Sequence, residues 1–477
     1  MMENPSSKRT TAGAVEENIL AILDSTEADD THYANDDRTA FLDAVRVASL
    51  VPENGAPPTY KWFESIFAIL RIGKSLELTM ASFKLLNELD KHFPRVHLSA
   101  VDEMKSSSKL ALIVQNEAWS PFAFCEREAA NNPGGSVDSF GFQHLIENLA
   151  DATAEPNFQA SETKALGNML LFQYLVNVLE GDFQPRNCVY AETANWVLLR
   201  ESLLNMLLVS RKINYKNLMK DVIAIMCKLY QANAGFTDDL ISSKKSMAQP
   251  AKIFDTSATI ALLEIGNNTC IAIQKFLIMI MELDMSKKTA DTRGSTTRVD
   301  GVRTPLLEIV LDELTYDEDI LDSFLQVFSE PKWKLEIIVQ YLWKYIGKPS
   351  VRTRRSNNPT DDASFTGALK CFSNATSTKT TIKKIRPELA QLLLAHGLQA
   401  QVSLPFKHVE GTFISSEERS NSSLIEVSEN IISAFKNLRT ADKNMEILPL
   451  GKEALFVAAT IMSAHSMHAS GKNWMIL

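Results

Sequence analysis

The chain has 477 residues, 45% of them hydrophobic, and a formal net charge of -9. This composition favours a globular protein with a large buried core and excludes an intrinsically disordered chain. The acidic balance argues against a protein that coats DNA along its whole surface. The low numbers of glycine (18) and proline (17) suit long helices better than a turn-rich β-protein.

The N-terminal residues and the cysteines indicate the compartment. Residues 1–13 are polar, with two bases and no apolar run behind them, so we expect no secretory signal and disorder over 1–14. The longest apolar run, 276–281, is too short to span a membrane. Five scattered cysteines without a CxxC pair indicate reduced thiols in the cytosol or nucleus, and no cofactor is expected.

The first clear element is a predicted helical hairpin between Pro57 and Pro94, with a break at Gly73. Gly73-Lys74-Ser75 is similar to the end of a phosphate-binding loop. Such a loop needs a glycine at the position of Ala68 and a strand before it, whereas Ala68 lies inside a helical pattern. We therefore expect a helix break in which Ser75 caps the second helix.

Further along the chain the apolar pattern stays helical. Residues 166–179 are apolar on nearly every side, which predicts a helix buried all round. Between 307 and 342, three sets of apolar residues recur at i, i+3, i+4, i+7 and predict three amphipathic helices. The last two sets share a heptad register, so a coiled coil is an alternative. Pro331 and the acids at 317–319 both interrupt that register.

The predicted fold class is all-α, an α-solenoid of stacked helical hairpins of the armadillo or HEAT type joined by polar loops. The best alternating β-pattern, 408–415, is short and isolated, and no clean sequence repeat of ~40 residues accompanies the helices. Polar connectors are expected at 24–38, 99–109, 126–138, 231–256, 284–304, 347–368, 373–381 and 407–423. The expected parts are a disordered N-terminus (1–14), an N-terminal helical part (15–125), a central helical solenoid (139–346), a basic polar loop (347–381) and a C-terminal helical part (382–477).

An island of positive charge interrupts this acidic chain between residues 337 and 387. The window holds ten bases and only two acids, Asp361 and Asp362. Because local field rather than total charge attracts polyanions, this island is the candidate binding region. The candidate contacts with nucleic acid or an acidic partner are Lys344, Lys348, Arg352, Arg354, Arg355, Lys383, Lys384 and Arg386.

Several interpretations of the island stay open. Its bases could contact phosphate, with Tyr341, Trp343 and Tyr345 stacking on nucleotides, although the same aromatic residues suit core packing. The bases could instead pair with an acidic protein, or form a solvated loop or a short nuclear-import signal.

No catalytic or metal site is predicted. No hydrolase, zinc-protease or dinucleotide-binding motif stands in a suitable context. His465 and His468, spaced i, i+3, have no further ligands evident in the sequence, so we expect a solvated helix end. The chain is therefore expected not to be an enzyme.

Several sequence blocks follow one another in the order of a known family. One, at the start of the island, comprises KWKLEI (332–337), QYL (340–342), KYI (344–346), KP (348–349) and VRTRR (351–355). Others lie at 51–55, 185–187, 279–284, 300–305, 311–317, 446–449 and 451–456. Over nearly its full length the chain thus resembles the plant negative regulators of systemic acquired resistance, the inducible suppressor family.

This resemblance implies an armadillo-like nuclear protein without a catalytic motif. It implies a non-enzymatic scaffold subunit of the structural maintenance of chromosomes five/six (SMC5–SMC6) complex, in the place of the non-SMC element six subunit, beside a non-SMC element five-like protein. The implied roles are DNA double-strand break repair by homologous recombination and repression of pathogenesis-related defence genes. A direct DNA-binding repressor that uses residues 344–386 is the alternative. The resemblance carries over no binding residue.

Overall fold

The structure is a computed structural model that describes residues 32–51, 55–100, 110–115, 118–124, 135–154, 163–243, 256–345, 364–404 and 416–472. These residues are helical almost throughout, which confirms the predicted all-α fold class. The first nine helices are α1 (His32–Leu50), α2 (Tyr60–Ile72), α3 (Leu76–His92), α4 (Ser139–Ala154), α5 (Thr163–Thr193), α6 (Trp196–Arg200), α7 (Leu203–Val209), α8 (Tyr215–Ser243) and α9 (Thr256–Thr292). The others are α10 (Leu306–Tyr316), α11 (Glu318–Val327), α12 (Pro331–Trp343), α13 (Phe365–Ala368), α14 (Ala375–Ile382), α15 (Pro387–Ser403), α16 (Ser416–Ala441) and α17 (Pro449–Lys472).

The chain divides into two compact units, Met1–Leu306 and Leu307–Leu477. This boundary falls inside the predicted central part, 139–346. The physical reason is α5, which packs against α3 on one side and α9 on another and so joins the N-terminal helices to the middle of the chain. The predicted separation at 125–139 therefore does not divide two compact units.

Helix α5 is the core of the first unit. Tyr174, Val176 and Leu179 are fully buried, as are residues on its other faces, which confirms the helix predicted to be buried on every side. Its buried polar group is satisfied, because Gln173 Nε2 donates to Ile265 O (3.1 Å) and Thr269 Oγ1 (2.9 Å). An apolar helix can be enclosed in this way only when its few polar side chains find partners.

Helices α2 and α3 form the predicted hairpin, and Gly73 ends the first of them. A Cβ at Gly73 would lie 2.6 Å from Ile69 O, so the tight turn needs a residue without a side chain. Ser75 occupies the N-cap position of α3, but its side chain makes no capping hydrogen bond. No strand precedes Gly73 in the described part of this hairpin, so it is not a phosphate-binding loop.

The predicted N-terminal helical part, 15–125, needs one correction. After α3, strands β1 (Val96–Ala100) and β2 (Leu110–Val114) pair antiparallel, with Val96 opposite Val114. Pro94 cannot continue the helix, and the residues after it alternate between apolar and polar types, a pattern that suits a half-buried strand. Both strands pack on α5.

The second unit contains the three amphipathic helices predicted between 307 and 342. Asp317 caps α11 by accepting from the backbone N–H of Asp319 and Ile320, and Pro331 stands in the first turn of α12. Because α11 ends at Val327, its heptad register does not continue into α12, and the coiled-coil alternative is wrong. Helix α15 packs on α11, α12, α16 and α17 and forms the centre of this unit.

The predicted basic polar loop at 347–381 is wrong over its second half. Residues 365–382 form α13, a 3-10 helix (Leu369–Phe372) and α14. The side chains of Ser364 and Asn374 accept from the backbone N–H of Gly367 and Ser377 and start α13 and α14. Polar residues that suggested a loop therefore act as helix caps.

Four other connectors are shorter than predicted, because helices extend into them. Helix α1 begins at His32 within 24–38, α8 runs to Ser243 within 231–256, α9 runs to Thr292 within 284–304, and α16 begins at Ser416 within 407–423. The β-pattern at 408–415 and the N-terminal segment 1–14 lie outside the described residues.

Candidate functional site

Lys344 lies just after α12, and its ammonium group is hydrogen-bonded to α10 although the residue is exposed. Its Nζ donates to Leu311 O (3.1 Å) and Thr315 Oγ1 (2.9 Å). The ammonium group therefore sits at the C-terminal part of α10, where carbonyl groups carry partial negative charge. Tyr341, one of the candidate stacking residues, is only 2% exposed and belongs to the core.

Lys383, Lys384 and Arg386 lie together in the turn between α14 and α15, and all three are exposed. Ile385 explains their direction, because its side chain is buried and its backbone N–H donates to Thr381 O (3.0 Å). Pro387 then begins α15, so the turn has little freedom. Because Ile385 is buried, Lys384 and Arg386 on either side of it are directed towards solvent.

Two further bases extend this exposed region. Lys370 on the 3-10 helix and Lys379 on α14 are exposed, and residues 364–387 contain no acid. We call the resulting group the α14 basic surface. It comprises Lys370, Lys379, Lys383, Lys384 and Arg386.

The hydrogen bonds of the buried Cys371 place the α14 basic surface next to the end of α12. Its Sγ donates to Leu342 O (3.4 Å), and Thr381 Oγ1 donates to the Cys371 carbonyl (3.3 Å). Burial raises the pKa of Cys371 to about 11, an effect that the nearby charge of Lys384 opposes. The turn at Lys384 therefore lies close to the C-terminal end of α12, and the thiol stays protonated at neutral pH.

Sequence reasoning missed Lys436 and Arg439 on α16. Asn437 Nδ2 donates to Phe372 O (2.7 Å), which fixes this part of α16 against the 3-10 helix that carries Lys370. Lys436 and Arg439 flank Asn437 and are exposed. No local signal could have found them, because Lys436 lies 49 residues and Arg439 52 residues beyond the end of the island at 387.

The densest part of the predicted island lies outside the described residues. Lys348, Arg352, Arg354 and Arg355 belong to residues 346–363. Four of the eight predicted contact residues are therefore placed by the structure. All four are exposed; Lys344 is also hydrogen-bonded to α10 through its ammonium group, and the other three lie on the turn between α14 and α15.

The histidines and cysteines considered as possible metal ligands do not form a cluster among the described residues. In the described part of the chain, no group of three or more His, Cys, Asp and Glu side chains could hold a metal ion. His465 is exposed on α17, while the side chain of His468 lies outside the described part. Cys227 and Cys270 are buried and Cys188 is exposed. No described helix combines the length and the hydropathy needed to cross a membrane.

A polar junction in the first unit joins three of the sequence blocks that carried the family resemblance. Asn187 Nδ2 donates to Glu282 Oε2 (3.2 Å), which joins the blocks 185–187 and 279–284. Arg303 Nη2 donates to Asp284 Oδ1 (2.6 Å), which joins the blocks 279–284 and 300–305. These blocks therefore make contacts that hold the fold together.

A second set of bonds closes the junction. Trp196 Nε1 donates to Asp300 Oδ1 (3.0 Å), and Lys287 Nζ donates to Asp300 O (2.8 Å) and Gly301 O (2.6 Å). Gly301 has φ of 65°, which favours glycine at this turn. The Asp300 carboxylate accepts from Thr297 and Trp196, and these bonds lower its pKa against the opposing effect of burial.

The fold and the surface define a class: all-α proteins built of packed helices, with an exposed basic surface on an acidic chain. Residues 95–330 match the SNI1 middle domain and residues 346–466 match the SNI1 C-terminal domain. A curated relative from Arabidopsis thaliana, "Negative regulator of systemic acquired resistance SNI1", is 47% identical over 454 residues, covering 95% of each chain. The chain belongs to the SNI1 family, as its sequence blocks predicted.

One solved structure aligns along most of the chain. It is a "Circular tandem repeat protein with novel repeat topology and enhanced subunit contact surfaces", 13% identical, with 96% of this chain and 98% of that chain covered. The TM-score is 0.21, so this alignment has no bearing on the fold.

Proposed function

We propose that the protein is a non-enzymatic helical scaffold that represses plant defence genes as a negative regulator of systemic acquired resistance. The observation that carries this proposal is the 47% identity, over 95% of both chains, to an Arabidopsis relative of that name. Both matched domains belong to the same family, so the relationship is not confined to one segment.

The finer proposal is that this scaffold works in the nucleus as part of the SMC5–SMC6 complex, beside a non-SMC element five-like partner, in repair of DNA double-strand breaks by homologous recombination. Its support is the family resemblance of the sequence blocks, together with a fold of packed helices. Packed helical hairpins offer extended surfaces that suit partner binding.

Complementation tests the defence role. The chain would be expressed in Arabidopsis plants that lack the relative, and pathogenesis-related transcripts would be measured without infection. We expect these transcripts to fall to the level of normal plants, whereas plants with an empty vector keep the raised level. Transcripts that stay raised although the chain accumulates in the nucleus contradict the proposed defence role.

Purification from nuclei tests the scaffold role separately. A tagged chain would be purified from nuclear extract, and chromosome-complex subunits would be quantified by mass spectrometry against an untagged control. We expect SMC5–SMC6 subunits to be enriched. A chain that elutes alone refutes membership in the complex but leaves the defence role standing.

A second candidate function is direct contact with DNA, which the exposed α14 basic surface favours. Replacing Lys379, Lys383 and Lys384 by Gln should reduce the slope of log affinity against log salt by about 2 to 3, since each phosphate contact contributes about 0.9. A matched control replaces three exposed lysines of the first unit, Lys61, Lys91 and Lys216, by Gln. Equal slopes for the two variants in fluorescence anisotropy with labelled duplex DNA eliminate the surface as the contact.

A further inference from the structure

A cavity of ≈ 570 Å³ opens on the first unit, beside the start of α2 and the start of β1. Pro58, Tyr60 and Phe93 line its apolar side, and Asp90 and Arg95 line its polar side. Tyr60 is 57% exposed, so the wall continues out to the protein surface. The volume lies within the range of about 300–1,000 Å³ that is usual for ligand sites.

Two stacked rings form the floor of this cavity. Trp119 stacks on Phe63 with ring centroids 5.4 Å apart and an interplanar angle of 8°. Phe67 meets the edge of the same indole at 5.3 Å. Because Trp119 is clamped by two rings and is only 9% exposed, its indole nitrogen has a fixed position.

Two buried donors at the cavity have no acceptor in the described part of the protein. Trp119 Nε1 and Arg95 Nε are both buried and unbonded. A buried N–H without an acceptor carries the full cost of its desolvation. Ligand acceptor atoms that reached these donors would recover that cost.

The charge of the cavity favours an acidic ligand. Burial raises the pKa of Asp90 to about 7, against a smaller opposing interaction with the Tyr174 hydroxyl. The carboxyl group is therefore largely uncharged when an anion lies near, since a second negative charge raises its pKa further. The positive charge of Arg95 also acts on the buried Asp182, whose pKa it lowers against the larger effect of burial. When the Asp90 carboxyl is uncharged, Arg95 is the charged group of this aromatic cavity lining, although the chain as a whole has a net charge of -9.

We propose that this cavity binds an acidic peptide segment of a partner protein. An aromatic or aliphatic side chain of the segment lies between Tyr60 and Trp119, and a carboxylate of the segment accepts hydrogen bonds from Trp119 Nε1 and Arg95 Nε. The exposed Tyr60 and Pro57 extend the wall beyond the floor, which suits a chain that runs across the site. The site lies in the first unit and does not depend on the α14 basic surface or on the proposed function.

The test uses the full-length chain and a fluorescein-labelled short peptide in which one phenylalanine is flanked by glutamates, with both ends capped. Matched probes replace the glutamates by glutamines or by lysines. Anisotropy titrations would compare the unaltered protein with Trp119→Phe, which keeps the ring and removes the donor, and with Arg95→Gln. Lys84→Gln, an exposed change elsewhere on α3, is the control.

We expect saturable binding of the glutamate probe, weakened about tenfold by W119F and by R95Q and unchanged by K84Q. The glutamine probe should bind about tenfold more weakly than the glutamate probe. Asp90→Asn, which imitates the uncharged carboxyl, should bind the glutamate probe at least as tightly as the unaltered protein. Circular dichroism of each variant would establish that it is folded.

Several results overturn the proposal. They are the absence of saturable binding, equal binding of the glutamate and glutamine probes, tighter binding of the lysine probe, and unaltered affinity in R95Q. If W119F fails to fold, R95Q and the probe exchange still decide the outcome. A large loss of affinity in D90N also contradicts the proposal, because it would mean that the site needs a charged carboxylate and hence a basic ligand.

Discussion

Asp284 holds Arg303 in an ion pair whose Nη2 and Oδ1 atoms are 2.6 Å apart, with side chains only 12% and 10% exposed. The other oxygen of the same carboxylate accepts the backbone N–H of Leu306 (2.8 Å), the first residue of α10. The Arg303 guanidinium also lies 5.4 Å from the centre of the Tyr215 ring. One carboxylate thus neutralises a buried base and starts a helix.

Replacing Asp284 by Ala should destabilise the protein strongly. The change leaves Arg303 buried without its counter-charge and leaves the Leu306 N–H without its acceptor, and loss of one partner of such a pair costs about 3 kcal/mol. Urea unfolding followed by circular dichroism would measure the loss. Glu88→Ala is the control, since the Arg46–Glu88 pair is 42% and 48% exposed and should contribute less than about 1 kcal/mol. Similar losses in both variants contradict the assigned role of Asp284.

Lys344 and Lys384 should respond differently to the same change. Lys344→Met removes two hydrogen bonds to α10 and should lower the free energy of unfolding by about 1 kcal/mol without altering binding to a polyanion. Lys384→Met removes an exposed charge and should weaken retention on a heparin column with little effect on stability. Chemical unfolding and heparin chromatography of both variants check this contrast. An equal loss of retention would return Lys344 to the candidate contacts.

Much of this fold could be predicted because apolar spacing reports helices directly. The apolar face at 307–342 identified α10, α11 and α12, and the continuous apolar composition of 166–179 identified the N-terminal half of α5. The hairpin of β1 and β2 was missed because each strand has only five residues, too few for alternation to stand out. Residues 365–382 were missed because Ser364 and Asn374 suggest a loop as readily as a helix cap.

The candidate sites could be predicted only in part, since tertiary contacts decide them. The sequence identified Lys383, Lys384 and Arg386 as a local cluster of bases. It could not show that α10 engages Lys344 or that Asn437 brings α16 to the same surface. Long-range partners of this kind carry no local pattern, so charge alone identifies candidates but not their exposure.

Two helical glycines, the buried Gly397 and the exposed Gly181, should respond oppositely to alanine. A Cβ at Gly397 on α15 would lie 2.6 Å from Phe365 Cε2, so Gly397→Ala should cost about 1–3 kcal/mol through overpacking. A Cβ at Gly181 on α5 meets nothing within 4 Å, so Gly181→Ala should stabilise the protein by up to about 1 kcal/mol through helix propensity. Thermal unfolding of the two variants would measure both changes in stability. Stabilisation by Gly397→Ala would mean that Phe365 is not packed against α15.

His396 should make the protein less stable as the solution becomes acidic. Burial, reinforced by the charge of Lys334, lowers its pKa from 6.5 to about 4, against a smaller opposing contribution from Gln399. A depressed pKa means that the unfolded chain binds the proton more readily than the folded one. The stability that the neutral imidazole contributes above pH 6.5 is therefore lost as the pH falls towards 4.

Replacing His396 by Leu should flatten this pH dependence. Between pH 7 and pH 4, the unaltered protein should lose about 2–3 kcal/mol more of its free energy of unfolding than the variant does. The change His465→Leu on the exposed face of α17 is the control and should leave the pH dependence as it is. Urea unfolding at several pH values measures the difference. If the His396→Leu variant shows the same slope as the unaltered protein between pH 4 and 6.5, the imidazole is charged in the folded state and burial does not control its titration.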